Sequence, residues 1–377
     1  MMVYTAPALK NRATLFISRR QVNDNFNIFL LDKPANLKFA VVVKNKGVGL
    51  GINLLADMAT QYGASYLVCA CLEEALLIKN KSLPILILGE RSTNELAEIA
   101  QHEMHIQVQS FKMANNFARV CAKYNKLAKV HFKIDSGLGR YGVRWDKAAL
   151  EFDKINPIKN LQIMGLMTHF AMSDEKDKSY ANLQWQRFKE ALAHIKKPKN
   201  SLMHACNTGG YLDLPAYHCD MCRIGVLFSG NYPSASCRRI KVGENELSSA
   251  FTLKSKLSFI KKLKIGDYLG YGMHYQASKD MLIGVIPLGY GDGFPRLRNK
   301  GHALINGQRV AILGGVAMDC MMIDLTNAPK ANLEDEVVLM GQQGNLSINP
   351  YDMGRQANTV VYDILTGWQT RLNIEYF

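Results

Sequence analysis

Several apolar runs in this sequence end in a residue that can hold or move a proton. "FAVVVK" ends at Lys44, and "KVHFKI" carries Lys133 and runs into Asp135. "QIMGLMTHF" carries His169, "LMHACN" ends at Asn207 before Thr208, and "MCRIGVLF" carries Arg223. Charge placed among apolar residues costs free energy unless it meets a partner or a ligand. Five such run ends are therefore read together as one site. A lysine in apolar surroundings is desolvated, which lowers its pKa and frees the amine to attack a carbonyl, so the chemistry suggested is imine formation. Lys44 is the first candidate. Lys46, two residues on in the glycine-rich "KNKGVGLG", is the competitor.

Aldolases use such a lysine alone. Pyridoxal phosphate enzymes use it with a phosphate cradle, and the sequence offers two. "CRIGVLFSG" presents the backbone N–H groups of Gly225 and Val226, and Asn207-Thr208-Gly209 places a hydroxyl at a helix start. From these residues alone both chemistries stay open.

The elements that must position these groups follow from periodicity. From about residue 39 to 227, short apolar runs alternate with stretches such as "NLLADMATQYG" and "YANLQWQRFKEALAHIKK", whose apolar residues recur three and four apart. The runs are "FAVVVK", "SYLVCA", "PILILG", "IQVQS", "KVHFKI", "QIMGLMTHF", "LMHACN" and "MCRIGVLF". Eight strand–helix units with strands apolar on both faces predict an α/β fold of the parallel (β/α)8 TIM-barrel type. An open doubly wound sheet is the alternative, but "VVVKNKGVGLG" is no GxGxxG fingerprint. In a barrel, chemistry sits at the C-terminal ends of the strands and phosphate at the loops after strands seven and eight, which is where these residues fall.

After about residue 245 the helical pattern stops. "FTLKSKLSFIKKL", "MLIGVIPLG", "HALINGQRVAILGG", "MDCMMIDL" and "DEVVLMG" read as short strands, and Asn306-Gly307 between two of them signals a type I′ hairpin. The expected organisation is a barrel over residues 12–243 and a mainly-β domain over 244–377, with residues 1–11 packing on the latter. There is no internal repeat and no low-complexity linker.

Composition excludes several classes. A 48% apolar, 21% charged chain of 377 residues has material for ordinary cores. No apolar run approaches the ~20 residues of a membrane helix, and the start lacks an apolar core before a small-residue cleavage site, so no secretory signal is expected. The eight cysteines form no disulfide framework, and Cys219-Asp-Met-Cys222 has no second such pair, so no metal site is expected. The cysteines are read as reduced thiols, and a cytoplasmic protein is expected. The net charge of +14 is spread along the chain, and its densest stretch, Lys254 to Lys264, reads as one strand with a wet face. Neither nucleic acid nor membrane is expected as a partner.

With these motifs in place, the chain resembles the alanine racemase family over nearly its whole length. The family's cofactor lysine is followed by glycines five and seven residues on. Counting from Lys44 reaches Gly49 and Gly51, whereas counting from Lys46 reaches Gly51 and Asn53, so the resemblance selects Lys44. "VHFKIDSGLGRYG" resembles the segment that carries a lysine and an arginine at the cofactor ring, here Lys133 and Arg140. "GLMTHFAMSD" matches the segment of His169. "HACNTGG" and "MCRIG" match the phosphate and ring-nitrogen contacts: Asn207, Thr208, Arg223, Gly225 and Val226. "YLGYGMHY", "PLGYGDGFPR" and "AMDCMMIDL" match the segments of Tyr271, Tyr290, Met318 and Asp319.

The resemblance implies pyridoxal 5'-phosphate as cofactor and a two-base racemisation of a small amino acid. Lys44 serves one face of Cα and Tyr271 the other, with His169 and Arg223 behind Tyr271. Arg140 binds the ring's phenolate oxygen and lines the substrate pocket with Met318, Tyr290 and Asp319. It also implies a carbamylated Lys133, and a head-to-tail homodimer in which Tyr271 completes a second subunit's site. Alanine is the first substrate expected; serine or a broader amino-acid range is the alternative. A pyridoxal phosphate-handling protein with little catalysis resembles the barrel alone. An amino-acid decarboxylase lacks its "CGPTCDS"-like segment here. A non-enzymatic module for anionic ligands rests on charge only. The chain departs from the family at Val48, where a phosphate-binding tyrosine is usual, at Gly47 in place of alanine, and at Thr370, where some members carry tyrosine before the arginine that is here Arg371.

Overall fold

The computed structural model describes residues 6–377, so residues 1–5 of the segment expected on the second domain lie outside the described residues. The chain forms two compact units, one from the residues up to Asn25 with Leu247–Phe377, the other from Phe26–Glu246. The first strand, β1 (Ala13–Ile17), pairs antiparallel with Phe251–Lys256 and parallel with Asn373–Tyr376. It therefore belongs to the mainly-β unit, whereas the sequence reading began the barrel at residue 12. A buried five-residue strand looks the same locally whichever sheet it joins, and its partners lie more than two hundred residues away.

The Phe26–Glu246 unit is built on β2 (Lys38–Val42), β3 (Tyr66–Cys69), β4 (Ile85–Ile87), β5 (His105–Val108), β6 (Ala128–Asp135), β7 (Val143–Arg144), β8 (Leu161–Met167), β9 (Leu202–His204) and β10 (Met221–Ile224). Eight of them run in the parallel order β10-β2-β3-β4-β5-β6-β8-β9, with short β7 beside β6. Backbone bonds from Asp220 N to Met203 O and from Arg223 N to Cys206 O, both 3.0 Å, draw β9 to β10, so the sheet nearly closes. Each of the eight apolar runs supplies one strand, and the (β/α)8 barrel expected from them is present.

Helices follow the strands. Phe111–Lys123 starts where Ser110 Oγ accepts from Met113 N at 3.2 Å, capping an orphan donor. It buries Met113, Ala114, Phe117, Ala118 and Cys121, one stripe at helical spacing, each large side chain contributing roughly 1.5–3 kcal/mol. Within the barrel, Ala40, Tyr66, Val68, Leu86 and Met221 pack as one apolar cluster. Against that background six polar side chains are buried on the barrel strands: His105 and Gln107 on β5, His131 and Lys133 on β6, His204 on β9 and Arg223 on β10.

The other unit adds β13 (Phe251–Lys256), β14 (Phe259–Leu263), β17 (Met281–Ile286), β18 (His302–Ile305), β19 (Gln308–Leu313), β20 (Met321–Asp324), β21 (Glu336–Gln343), β22 (Leu346–Ile348) and β23 (Asn373–Tyr376); the two-residue strands 241–242, 245–246, 268–269 and 275–276 fill the intervening numbers. The sheet order is β14-β17-β20-β19-β18-β21-β13-β1-β23. Asn306 (φ 49°) and Gly307 (φ 71°) make the predicted hairpin turn between β18 and β19. Two expectations change. The lysine-rich stretch is two strands: Lys254 in β13 is buried and bonds Glu336 at 2.9 Å, and only β14 has the wet face. The helices also do not stop at residue 245. Pro350–Ala357 begins with Asn349 capping Asp352 N at 2.9 Å and proline in its first turn, and Val361–Thr366 follows.

Candidate active site

Lys44 lies two residues beyond β2. Val43 N still bonds Val68 O at 2.8 Å, and the chain then leaves the sheet in an unusual turn. Asn45, Lys46, Gly47, Val48 and Gly49 all have positive φ, from 50° to 87°. Left-handed backbone costs roughly 1–2 kcal/mol per non-glycine residue, so three of these five residues are strained. Gly51 N bonds Lys46 O at 2.7 Å, and Asn45 N is held by the Glu74 carboxylate. The turn presents Lys44 without a hydrogen-bond partner among the described residues. Lys44 is exposed as a residue, but its amine end is desolvated. That, with the Arg140 and Arg223 cations, lowers its pKa against a smaller opposing effect of Glu74. An amine of this kind is a competent nucleophile for a carbonyl.

Arg223 is the most constrained group. It is buried, its Nη1 reaches His204 O and His204 Nδ1 at 2.9 Å, and its Nη2 reaches Thr168 O (2.9 Å), Ala205 O (3.0 Å) and His169 Nδ1 (3.1 Å). Its Nε–H has no acceptor among the described residues. Arginine only donates, so His169 Nδ1 accepts and His169 is neutral. Burial first, then Arg223, Lys133, Arg140 and Lys44, hold the His169 pKa well below the usual value.

Lys133, two residues along β6 from His131, is buried, and none of its hydrogens meets an acceptor among the described residues. Desolvation, Arg223 and Arg140 push its pKa well down, and Asp135 only partly opposes them. Asp135 is occupied elsewhere: its carboxylate takes the N–H groups of Gly137 (2.9 Å), Leu138 (2.8 Å) and Gly139 (3.1 Å), fixing the loop that leads to exposed Arg140.

The phosphate-type donors come from the ends of β9 and β10. Asn207 caps Thr208–Asp213 through Gly210 N at 3.0 Å and accepts from Ser173 Oγ at 2.7 Å. Gly225 N reaches Thr208 Oγ1 at 3.3 Å, and Val226 N opens a 3-10 turn, where an N–H has no intrahelical acceptor. A Cβ on Gly225 would come within 3.3 Å of Val42 and 3.4 Å of Val48, so glycine keeps this approach open. A neutral-prone lysine, an arginine with one unanswered donor and this cluster of N–H and O–H groups fit pyridoxal 5'-phosphate.

The remaining predicted residues lie in the mainly-β unit. Tyr271 is 82% exposed at the head of a turn between Gly270 (φ 75°) and Gly272 (φ 73°). Tyr290, Met318 and Asp319 are brought together: Tyr290 N bonds Ala317 O at 3.0 Å and Gly291 N bonds Met318 O at 2.9 Å. Asp319, expected to face substrate, has its carboxylate on Arg371 at 2.6 Å. Arg371 also bonds buried Asp292 at 2.8 Å, which Arg12 clamps from another side.

Sequence reasoning missed His204 and His131 behind Arg223. The signal was parity: His131 and Lys133 are two apart on one strand, so they share the barrel's inner face. Among the described residues no group of three or more acidic, histidine or cysteine side chains is arranged for a metal ion, and no helix is long and apolar enough to cross a membrane. All eight cysteines are free thiols.

Comparison with known proteins places this arrangement. Residues 17–233 match the family described as "Alanine racemase, N-terminal domain", and 250–376 match "Alanine racemase, C-terminal domain". An alanine racemase of Halothermothrix orenii is 35% identical over 93% of each chain. The solved alanine racemase of Clostridium difficile 630 superposes with a TM-score of 0.89 at 25% identity, covering 98% of this chain and 97% of that one. A histidine racemase from Leuconostoc mesenteroides subsp. sake superposes at 0.84 with 26% identity, covering 98% and 99%. Matched across both units, the chain belongs to the alanine racemase family.

Proposed function

We propose that the protein interconverts L-alanine and D-alanine with pyridoxal 5'-phosphate held at the mouth of the barrel. The observation that carries this reading is Arg223, whose terminal nitrogens are fully engaged while its Nε–H is left for an acceptor. A donor-only partner at the ring nitrogen keeps that nitrogen unprotonated and favours rapid return of a proton over a persistent carbanion. When bound, the cofactor supplies the electron sink that makes the substrate Cα–H acidic.

The chain's own residues do the rest. Lys44 anchors the cofactor and, as an amine, takes or returns the Cα proton on one face. Tyr271 does so on the other. A free tyrosine has a pKa of about 10, so it needs the hydrogen-bonded support of His169 and Arg223. Thr208, Gly225 and Val226 bind the phosphate with Asn207 holding their helix. Arg140 donates to the phenolate oxygen and, once Lys133 is carbamylated, faces an anion in place of a second cation. Tyr290, Met318 and Asp319 narrow the entrance and favour a small side chain. The exposure of Tyr271 supports its service in the site of a second subunit, and hence a head-to-tail homodimer. The D-alanine formed in the cytoplasm would supply peptidoglycan precursors.

The test is a chiral assay of purified protein with added pyridoxal phosphate on L-alanine, L-serine, L-lysine and L-histidine. Alanine should turn over fastest. Faster serine or histidine turnover would reassign the substrate. Bound cofactor without turnover of any of them would replace catalysis by cofactor handling.

A further inference from the structure

Arg223 is the end of a longer chain of buried groups. His204 Nε2 lies 2.9 Å from His131 Nδ1, and His131 Nε2 lies 3.4 Å from His105 Nδ1. All three imidazoles are buried, and Tyr66 packs edge-on against His105 and His131 with ring centroids 5.3 and 5.2 Å away. The sheet register makes room for the contact. On β8, Gly165 sits opposite His131 of β6, one strand from His204 on β9. A Cβ at Gly165 would lie 2.4 Å from His131 Nδ1 and 3.0 Å from His204 Nε2, so only glycine lets the two rings meet across that strand.

The polarity of this chain follows from one fact: arginine has no acceptor. Arg223 donates to His204 Nδ1, so the single hydrogen of a neutral His204 is on Nε2. That hydrogen points at His131 Nδ1, which must accept, so His131 carries its own hydrogen on Nε2. The same step fixes His105 as Nε2–H. A proton added to any ring would set two donors face to face. Cations press on all three rings and disfavour a further proton: Arg223 and Lys133 on His204, Arg223 on His131, Lys129 on His105. Among the described residues no carboxylate hydrogen-bonds any of the three rings.

We propose that His204, His131 and His105 are positioning residues that form a relay of neutral imidazoles with one fixed tautomer, which pins the Arg223 guanidinium with Nε–H toward the barrel mouth and bars protons from reaching it through the core. Burial agrees, depressing the pKa of all three rings and holding His105 at about 3. The tautomer state belongs to the chain alone; only its consequence at the ring nitrogen rests on the racemase reading.

The experiment therefore begins with 15N-labelled protein freed of pyridoxal phosphate. Two-bond proton–nitrogen spectra from about pH 5 to 9, the range in which an ordinary histidine titrates, should show His105, His131 and His204 neutral, Nε2-protonated and unmoving. An Nδ1–H tautomer at His131 or His204, or titration of either in that window, overturns the relay. His131→Leu removes the donor to His105 Nδ1, so the His105 signals should become a tautomer mixture or begin to titrate, while His204, still held by Arg223, keeps its hydrogen on Nε2. In holoenzyme kcat should fall about tenfold with KM nearly unchanged. His131→Asn sets an amide oxygen where Nδ1 was, which again accepts from His204 Nε2–H, and should restore kcat to within about threefold. Equal kcat losses in the two variants, with the His105 signals unmoved in His131→Leu, would make His131 a space filler and sink the proposal. Should a variant fail to fold, the natural protein's spectra still decide.

Discussion

Val48 and Gly225 are neighbours at the barrel mouth: a Cβ built on Gly225 would come within 3.4 Å of a Val48 methyl, beside the N–H groups that fit a phosphate. Val48 is buried there at φ 52°, a conformation that β-branched residues seldom adopt. It is also the position at which the resemblance to the racemase family leads to a phosphate-binding tyrosine being expected. Valine and tyrosine bear a similar left-handed cost, so exchanging them isolates the side chain. A hydrogen bond to a charged group is worth ~1.5–3 kcal/mol. Val48→Tyr should therefore tighten pyridoxal phosphate binding by about tenfold or more in an absorbance titration of cofactor-free protein. An unchanged dissociation constant would mean that position 48 does not face the phosphate. Lys46 is exposed, and Lys46→Ala should leave the constant unaltered in both backgrounds. A loss confined to the Val48 protein would identify Lys46 as a compensating cation.

The assignment of Lys44 over Lys46 is tested by covalent trapping. Lys44→Ala should still bind pyridoxal phosphate through the Thr208–Gly225–Val226 donors, but borohydride should no longer fix it to the chain. Peptide mass spectrometry of the natural protein should place the label on Lys44. A label on Lys46 in either protein would transfer the role to the turn residue.

Tyr271 is almost wholly exposed, so removing its hydroxyl deletes no buried contact. Tyr271→Phe should keep its melting temperature and its cofactor absorbance and lose most racemisation. Solvent-deuterium incorporation should become one-sided, fast only on the face served by Lys44. Near-natural turnover in both directions would remove Tyr271 from the mechanism. Mixing Tyr271→Phe with Lys44→Ala should restore some activity if each site takes its tyrosine from a partner, because one mixed site in a heterodimer keeps both residues.

How much of this was legible in advance depends on whether a feature is local. The eight barrel strands announce themselves as apolar runs, and the residues just past them follow from the rule that chemistry collects at one end of a barrel. The Asn306–Gly307 turn is equally local. The left-handed turn after Lys44 is half legible, since Gly47, Gly49 and Gly51 permit it, but nothing in the sequence shows Asn45, Lys46 and Val48 joining it. Asn349-Pro350 is a helix-start signal that the surrounding strand pattern masked. The placement of β1 and the clamp of Arg12 and Arg371 on Asp292 depend on pairings across most of the chain, and no short-range pattern encodes them. The histidine relay needs three strands in register and a glycine between two of them, which only the folded sheet supplies.

Lys133 supplies a prediction with a definite pH sense. Its amine is buried beside Arg223 and Arg140 with no acceptor among the described residues, and its folded pKa lies well below the ordinary value of 10.5. Below the unfolded pKa the unfolded chain therefore holds a proton that the folded chain gives up, and the linkage relation makes stability rise with pH. The cost is present at neutral pH and disappears as pH climbs through the unfolded lysine's range near 10.4. Lys133→Met keeps the volume without the charge. In carbon dioxide-free buffer it should melt several degrees above the natural protein at pH 7, given about 2–4 °C per kcal/mol for a unit of this size, and the gap should close toward pH 10. Bicarbonate should narrow the same gap at pH 7, because a neutral amine at position 133 adds carbon dioxide, releases a proton, and becomes an anion facing two arginines. The natural protein should then gain the mass of one carbon dioxide in native mass spectrometry, and Lys133→Met should not. A gap that widens with pH would reverse the sign of the shift assigned to Lys133. A melting temperature indifferent to bicarbonate, with no added mass, would leave Lys133 an unmodified buried amine.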